Sequence, residues 1–175
     1  MLKLSHLVGI PLKWTQPSMM RMQYELLTGE TVAATLNFRS SWGTFATAES
    51  ADGCWTFKRI GFWQNRASIR VCGSETDLAI FTNNTWANGG TLEFVGGRSY
   101  KISNNFWMTK YEICNSAEEP VLRFNYGGFL HTSAEVEILP GAASLPELAP
   151  MLMFGFYIAI MLHNDSAAAA AAASA

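Results

Sequence analysis

The sequence predicts a mainly β protein: a closed antiparallel β-barrel of about twelve strands around one buried hydrophobic C-terminal α-helix. Three observations carry this. Short stretches of alternating apolar and polar residues recur from Met22 to Leu139, separated by turn residues. From Leu148 to Leu162 the chain reads LAPMLMFGFYIAIML, uncharged and apolar on every side, a pattern that must be buried in protein or in lipid. Only 15% of the 175 residues are charged, against about 25% in ordinary soluble domains, so much of the chain should be interior.

Residues 1–20, punctuated by Pro11 and Pro17, read as an irregular segment lying across the outside of the fold. Their apolar run is broken by Ser5 and His6 and stopped by Pro11 and Lys13, which does not read as a signal peptide. A single domain then spans 21–165. Its first strand, MQYELL, turns at Thr28-Gly29-Glu30 into TVAATLNFR, where Val32, Ala34, Leu36 and Phe38 share one face. Strands at Thr44–Glu49 and Cys54–Ile60 follow, the latter with Trp55 and Phe57 inward. Ala67–Cys72 should turn Ala67, Ile69 and Val71 to the interior. Leu78–Thr82, Thr91–Val95 and Ser99–Ser103 come next, then a long strand at Phe106–Cys114. Val121–Tyr126 and Ser133–Leu139 complete the set, the last opposing Ala134, Val136 and Ile138 to Ser133, Glu135 and Glu137.

The central helix is expected at about 145–163. Ser144 stands as its N-cap, Pro146 in its first turn, and Glu147 where a capping box would close. Pro150 should remove one donor and bend it. Fifteen apolar residues make only about 22 Å of helix, short of the ~30 Å bilayer core. A barrel this wide also needs its interior filled. The helix is therefore expected as a plug, with a tail anchor at 148–162 as the alternative. Residues 166–175 form an Ala-rich tail.

The run from about Tyr24 to Asp165 resembles the tubby C-terminal-like superfamily, which includes phospholipid scramblases and plant LURP-one-related proteins. The resemblance lies in the order of VAATLNF, CWTFKRIG, SIRV, TLEFVGGRSYKI, AEVEI and LPELAPMLMFGFYIAIML. It implies a twelve-stranded barrel around a hydrophobic helix, and a surface that meets phosphoinositide or other membrane lipid. The sequence lacks the scramblase type's Pro-rich start, cysteine cluster and acidic calcium segment.

Lys58, Arg59, Arg66 and Arg70 cluster on one predicted hairpin, with Lys58 and Arg70 facing outward, where a phosphate could be gripped by charge-assisted hydrogen bonds. Lys101 and Lys110 form a second candidate. Trp42 and Trp63, in predicted loops, would suit a membrane interface. Catalytic and metal-binding motifs are not found: the sequence has no G-x-S-x-G, no H-E-x-x-H and no Walker glycine loop, and His6, His131 and His163 are far apart. The expectation is a non-enzymatic binding module without cofactor or metal; an enzyme with a site at the barrel rim is a further alternative. A net charge of −2 gives no pull toward nucleic acid. Cys54, Cys72 and Cys114, odd in number and without a C-x-x-C pair, read as reduced thiols. The protein is thus expected to be a cytoplasmic monomer, peripheral to a membrane, with an anionic lipid or a protein as partner.

Overall fold

The computed structural model describes residues 1–40, 43–61, 65–84, 89–105, 109–126 and 133–173. Among them twelve strands close into one antiparallel barrel. In chain order these are β1 (Leu12–Thr15), β2 (Gln23–Thr28), β3 (Thr31–Phe38), β4 (Ala46–Ser50), β5 (Gly53–Ile60) and β6 (Arg66–Val71), then β7 (Asp77–Asn84), β8 (Gly89–Phe94), β9 (Ser99–Asn104), β10 (Lys110–Cys114), β11 (Pro120–Tyr126) and β12 (Ala134–Ile138). Each strand pairs with its neighbours in sequence, and β1 meets β12 with Leu12 opposite Val136. The barrel is therefore an up-and-down meander that leaves no free edge.

The period-two patterns fall as alternation predicts. Trp55, Phe57, Ala67, Ile69, Tyr111, Ile113, Leu122, Phe124 and Tyr126 all face the interior and are buried. At the β2–β3 turn Thr28 pairs with Thr31, and Gly29 takes φ +59°, which the two-residue loop requires.

Four sequence expectations change. The first twenty residues are not all irregular: a 3₁₀ turn at Leu4–Leu7 buries Leu4 and Leu7, and β1 is the closing strand. A strand of four residues, set between Pro11 and Pro17, is too short for alternation to stand out, yet Leu12 and Trp14 alternate inward. Val71, expected inside, is 48% exposed at the end of β6. Of the long strand expected at Phe106–Cys114, the described part begins at Lys110; residues 106–108 lie outside the described residues. Cys54 and Cys72 form a disulfide across β5 and β6, Cα atoms 5.4 Å apart, while Cys114 is a half-buried free thiol. The hairpin register puts Cys72 opposite Cys54, its N–H donating to the Cys54 carbonyl at 3.0 Å. Eighteen residues of sequence separation hide that juxtaposition.

One helix, α1 (Leu148–Ala173), runs through the barrel. It starts four residues after Ser144, so the expected capping box does not form. The first helical bond is Met151 N–H to the Glu147 carbonyl, 3.0 Å, and the Glu147 carboxylate instead accepts from Arg98 and Tyr100. Pro150 then falls in the first turn, where its missing N–H would have had no helical partner in any case. By length and composition Leu148–Asp165 could cross a membrane, but 78% of that stretch is buried within the fold. The described barrel strands are up to eight residues long, about 26 Å, whereas 26 residues of helix measure about 39 Å. The plug therefore outruns the barrel at its C-terminal end.

Three aromatic side chains and one glycine set the rotation of α1. Phe156 stacks on Trp14 of β1 at 4.5 Å and meets Tyr24 of β2 edge-on at 5.3 Å. Phe154 packs against Phe57 and Phe81, from β5 and β7, at 5.5 and 5.7 Å. Tyr157 stacks on Phe38 of β3, and its hydroxyl donates to the Thr44 carbonyl at 2.6 Å. On the remaining side Gly155 lies so close to the wall that an added Cβ would stand 2.7 Å from Phe124 and 3.1 Å from Ile113. The apolar helix is satisfied by protein. Its interior partners exclude a ligand cavity of the open-barrel type.

Candidate functional site

With the interior filled, recognition falls to the exterior and the two ends. The β5–β6 hairpin carries four of the six cations singled out in the sequence, and the structure separates them. Ile60 pairs with Arg66, Lys58 with Ser68, and Thr56 with Arg70, so Lys58, Arg66 and Arg70 share the outer face. Arg59 follows the parity of Trp55 and Phe57 and turns toward the barrel end. Its guanidinium donates to both oxygens of Asp165 on α1, at 2.9 and 2.6 Å, and only 9% of the side chain is exposed. Arg59 is thus a fastener for the helix. Sequence reasoning missed Asp165 because its partner lies 106 residues away.

On the outer face Arg70 is held by Asp77 at 2.6 Å. Lys58 and Arg66 are exposed, and among the described residues neither has a carboxylate within ion-pairing distance. The hydroxyl of buried Ser68 reaches the Lys58 carbonyl at 3.5 Å, behind the cations. The second candidate is more committed. Lys101 lies 3.3 Å from Glu118, and Lys110 lies 3.7 Å from Glu112, which also accepts from Arg123 at 2.8 Å. Lys101 and Lys110 stand on different strands, near opposite ends of the barrel. The six residues do not form one site. Lys58, Arg66 and the partly engaged Arg70 remain as a small cationic face that could hold a phosphate by hydrogen bonds from both strands. Trp42, Trp63 and His131 lie outside the described residues.

A hollow of about 570 Å³ lies outside the barrel over β1 and β12. Its charged lining is Lys13 with Glu135 and Glu137, a balance unsuited to an anion. No group of three His, Cys, Asp or Glu among the described residues could hold a metal ion. The strongly shifted groups are phenols of the wall and plug. Burial pushes Tyr24 up to about 12, and holds Tyr126 and Tyr157 well above the ordinary phenol range. Burial, aided by Glu112, likewise raises the Cys114 thiol, which keeps it protonated and a poor nucleophile.

In class, then, this is a meander barrel sealed by its own C-terminal helix, with its polar chemistry on the outside. Compared with known proteins, the chain matches no family model, no curated protein and no solved structure.

Proposed function

We propose that the protein is a non-enzymatic binding module that meets anionic membrane lipid reversibly through the outside of its barrel. The observation that carries this is the pair Lys58 and Arg66, exposed on adjoining strands and free of carboxylate partners among the described residues. The filled interior supports it, because α1 occupies the space in which a carrier would hold its ligand. The burial of α1 also favours a peripheral module over a tail-anchored one, since a helix already satisfied by protein has no apolar face left to give to lipid. The order of elements resembles that expected of tubby-like proteins, and this resemblance agrees with the reading.

The Cys54–Cys72 bond bears on compartment. Such bonds persist in oxidising surroundings, which counts against the cytoplasmic location expected from cysteine spacing.

Flotation of the full chain with vesicles, expressed without detergent, tests the proposal. Association with phosphatidylserine or phosphoinositide vesicles that fades with added salt is the expected result, because exposed charges are screened over about 10 Å. Protein that stays unbound at every salt concentration would overturn it.

A further inference from the structure

We infer that residues 1–10 are a lid over the end of the barrel where α1 begins, and that the Cys54–Cys72 bond is its redox switch. The lid is shut while the bond stands and is released when a dithiol reduces it. This goes beyond the lipid-binding reading and does not depend on it.

The 3₁₀ turn of the lid tucks Leu4 and Leu7 into the barrel end, where both are buried. Little else holds it. Residues 1–10 take no part in the sheet, which begins at Leu12. Among the described residues two hydrogen bonds tie them down, Leu4 N–H to the Asp52 carboxylate at 2.8 Å and Gly9 N–H to the Ile138 carbonyl at 3.2 Å. No ion pair among the described residues engages Lys3 or His6. Met1 and Leu2 stay 59% and 47% exposed. The packing beneath is incomplete. A hollow of about 270 Å³ lies between Lys3 and Leu4 of the lid, Asp52 and Trp55 of the barrel, and Leu148 and Ala149 of α1. Few tertiary bonds, exposed apolar side chains and a void beneath mark an element that opens well before the whole fold does.

The seat of the lid is the segment 52–55. Asp52 accepts the Leu4 N–H. Gly53 backs onto the Trp55 ring so closely that an added Cβ would stand 3.1 Å from it. Cys54 carries the bond to Cys72, and Trp55 walls the hollow. The staple therefore sits within the seat itself. Stability alone does not call for it there. The barrel is closed, its interior is filled, and the Cys72 N–H already donates to the Cys54 carbonyl at 3.0 Å. Such staples are needed chiefly by domains too small to build a core. Both cysteines are half-buried at strand ends, outside the core, and disulfides open to solvent are the labile and regulatory ones.

Reduction proceeds by exchange. One thiolate of the dithiol attacks a sulfur of the bond and forms a mixed disulfide, from which the second thiolate displaces it. The dithiol leaves as a disulfide, having given two electrons, and Cys54 and Cys72 each end as a protonated thiol. Two thiols need more room than the bond that joined them. Cys54 and Cys72 are pressed apart, the turn at 51–53 loses its fixed position, and the Asp52 carboxylate draws away from the Leu4 N–H. The freed lid uncovers Leu148 and Ala149 and turns its own leucines to solvent, an apolar surface confined to the reduced state.

Hydrogen exchange of the full chain, read by mass spectrometry before and after dithiothreitol, tests the switch. After reduction, residues 1–10 should exchange at least about fivefold faster, the weight of a lost hydrogen bond, while β10, β11 and β12 keep their protection. Trypsin should then cut after Lys3 faster than in the oxidised chain. Cys54→Ser with Cys72→Ser should show the open lid with or without dithiothreitol, and Cys114→Ser should respond as the unaltered chain does. Asp52→Ala should open the lid while the bond stands; full protection in that variant would overturn the seat. N-terminal exchange indifferent to reduction would overturn the switch. So would an equal rise in every strand, which marks a loss of overall stability, or three free thiols in protein purified in air.

Discussion

Trp14 of β1 lies face to face on Phe156 of α1, ring centroids 4.5 Å apart and planes 1° from parallel. The strand that closes the barrel is thereby clamped to the helix that fills it. Trp14 is fully buried, and its indole N–H has no partner among the described residues. Removing the ring leaves a void between wall and plug, so Trp14→Ala should destabilise the fold by about 3–5 kcal/mol. Trp14→Phe should cost much less, about 1 kcal/mol, because the stacking survives and an unsatisfied donor disappears. Urea unfolding of the two variants checks this. Equal losses would mean that a phenyl ring restores nothing at this position, and that stacking on Phe156 does not hold β1 to α1.

Gly155 makes the opposite demand. A side chain there meets Phe124 and Ile113 before it reaches ordinary contact distance, 2.7 and 3.1 Å for the first carbon alone. Gly155→Val is expected to force α1 away from β10 and β11, costing about 3 kcal/mol despite valine's better helix propensity. Gly155→Ala should cost less, since its propensity gain of about 1 kcal/mol offsets part of the clash. Thermal melts that show Gly155→Val as stable as wild type would mean that the helix is not seated against this wall.

These two contacts also show what the sequence could and could not reveal. The alternation of Trp55 and Phe57, or of Ala134, Val136 and Ile138, is local chemistry and fixes the inward face of a strand. The uncharged run at 148–162 likewise implies a buried helix. Closure is different. β1 has four residues between two prolines, too few to announce a strand, and its pairing with β12 is a property of the whole ring. The Cys54–Cys72 bond and the Arg59–Asp165 pair depend on register and helix rotation, which spacing alone does not set. The candidate site was legible only in part. Lys58 and Arg70 could be read as outward from strand parity, but the same parity turns Arg59 inward.

Alkaline pH should open the barrel. Tyr24 is raised to about 12 by burial, and Tyr111, Tyr126 and Tyr157 are raised by the same cause. In the unfolded chain these phenols ionise near ~10, so folding binds their protons more tightly. The stability this confers is complete below pH ~10 and falls as pH climbs toward the folded-state values. Tyrosinate absorbance should therefore lag behind that of free tyrosine and then rise together with loss of the β-sheet circular dichroism. A smooth rise centred near pH ~10 with the fold intact would contradict the burial of these rings.

The cysteines give the sharpest check on both register and compartment. Cys54 and Cys72 are bonded and Cys114 is free, so the denatured, unreduced protein should take up one alkylating group, and three after reduction. In the native state Cys114 should react slowly, because burial keeps its thiol protonated. The bond closes a loop with a sequence separation of 18 residues, for which chain entropy gives about 3 kcal/mol. Cys54→Ser with Cys72→Ser should lower stability by that amount or less, since the flanking β5–β6 pairing persists. Mass spectrometry of protein purified without added oxidant decides the matter. One accessible thiol would support an oxidising compartment and a membrane surface that faces it. Three would return the molecule to the reducing cytosol.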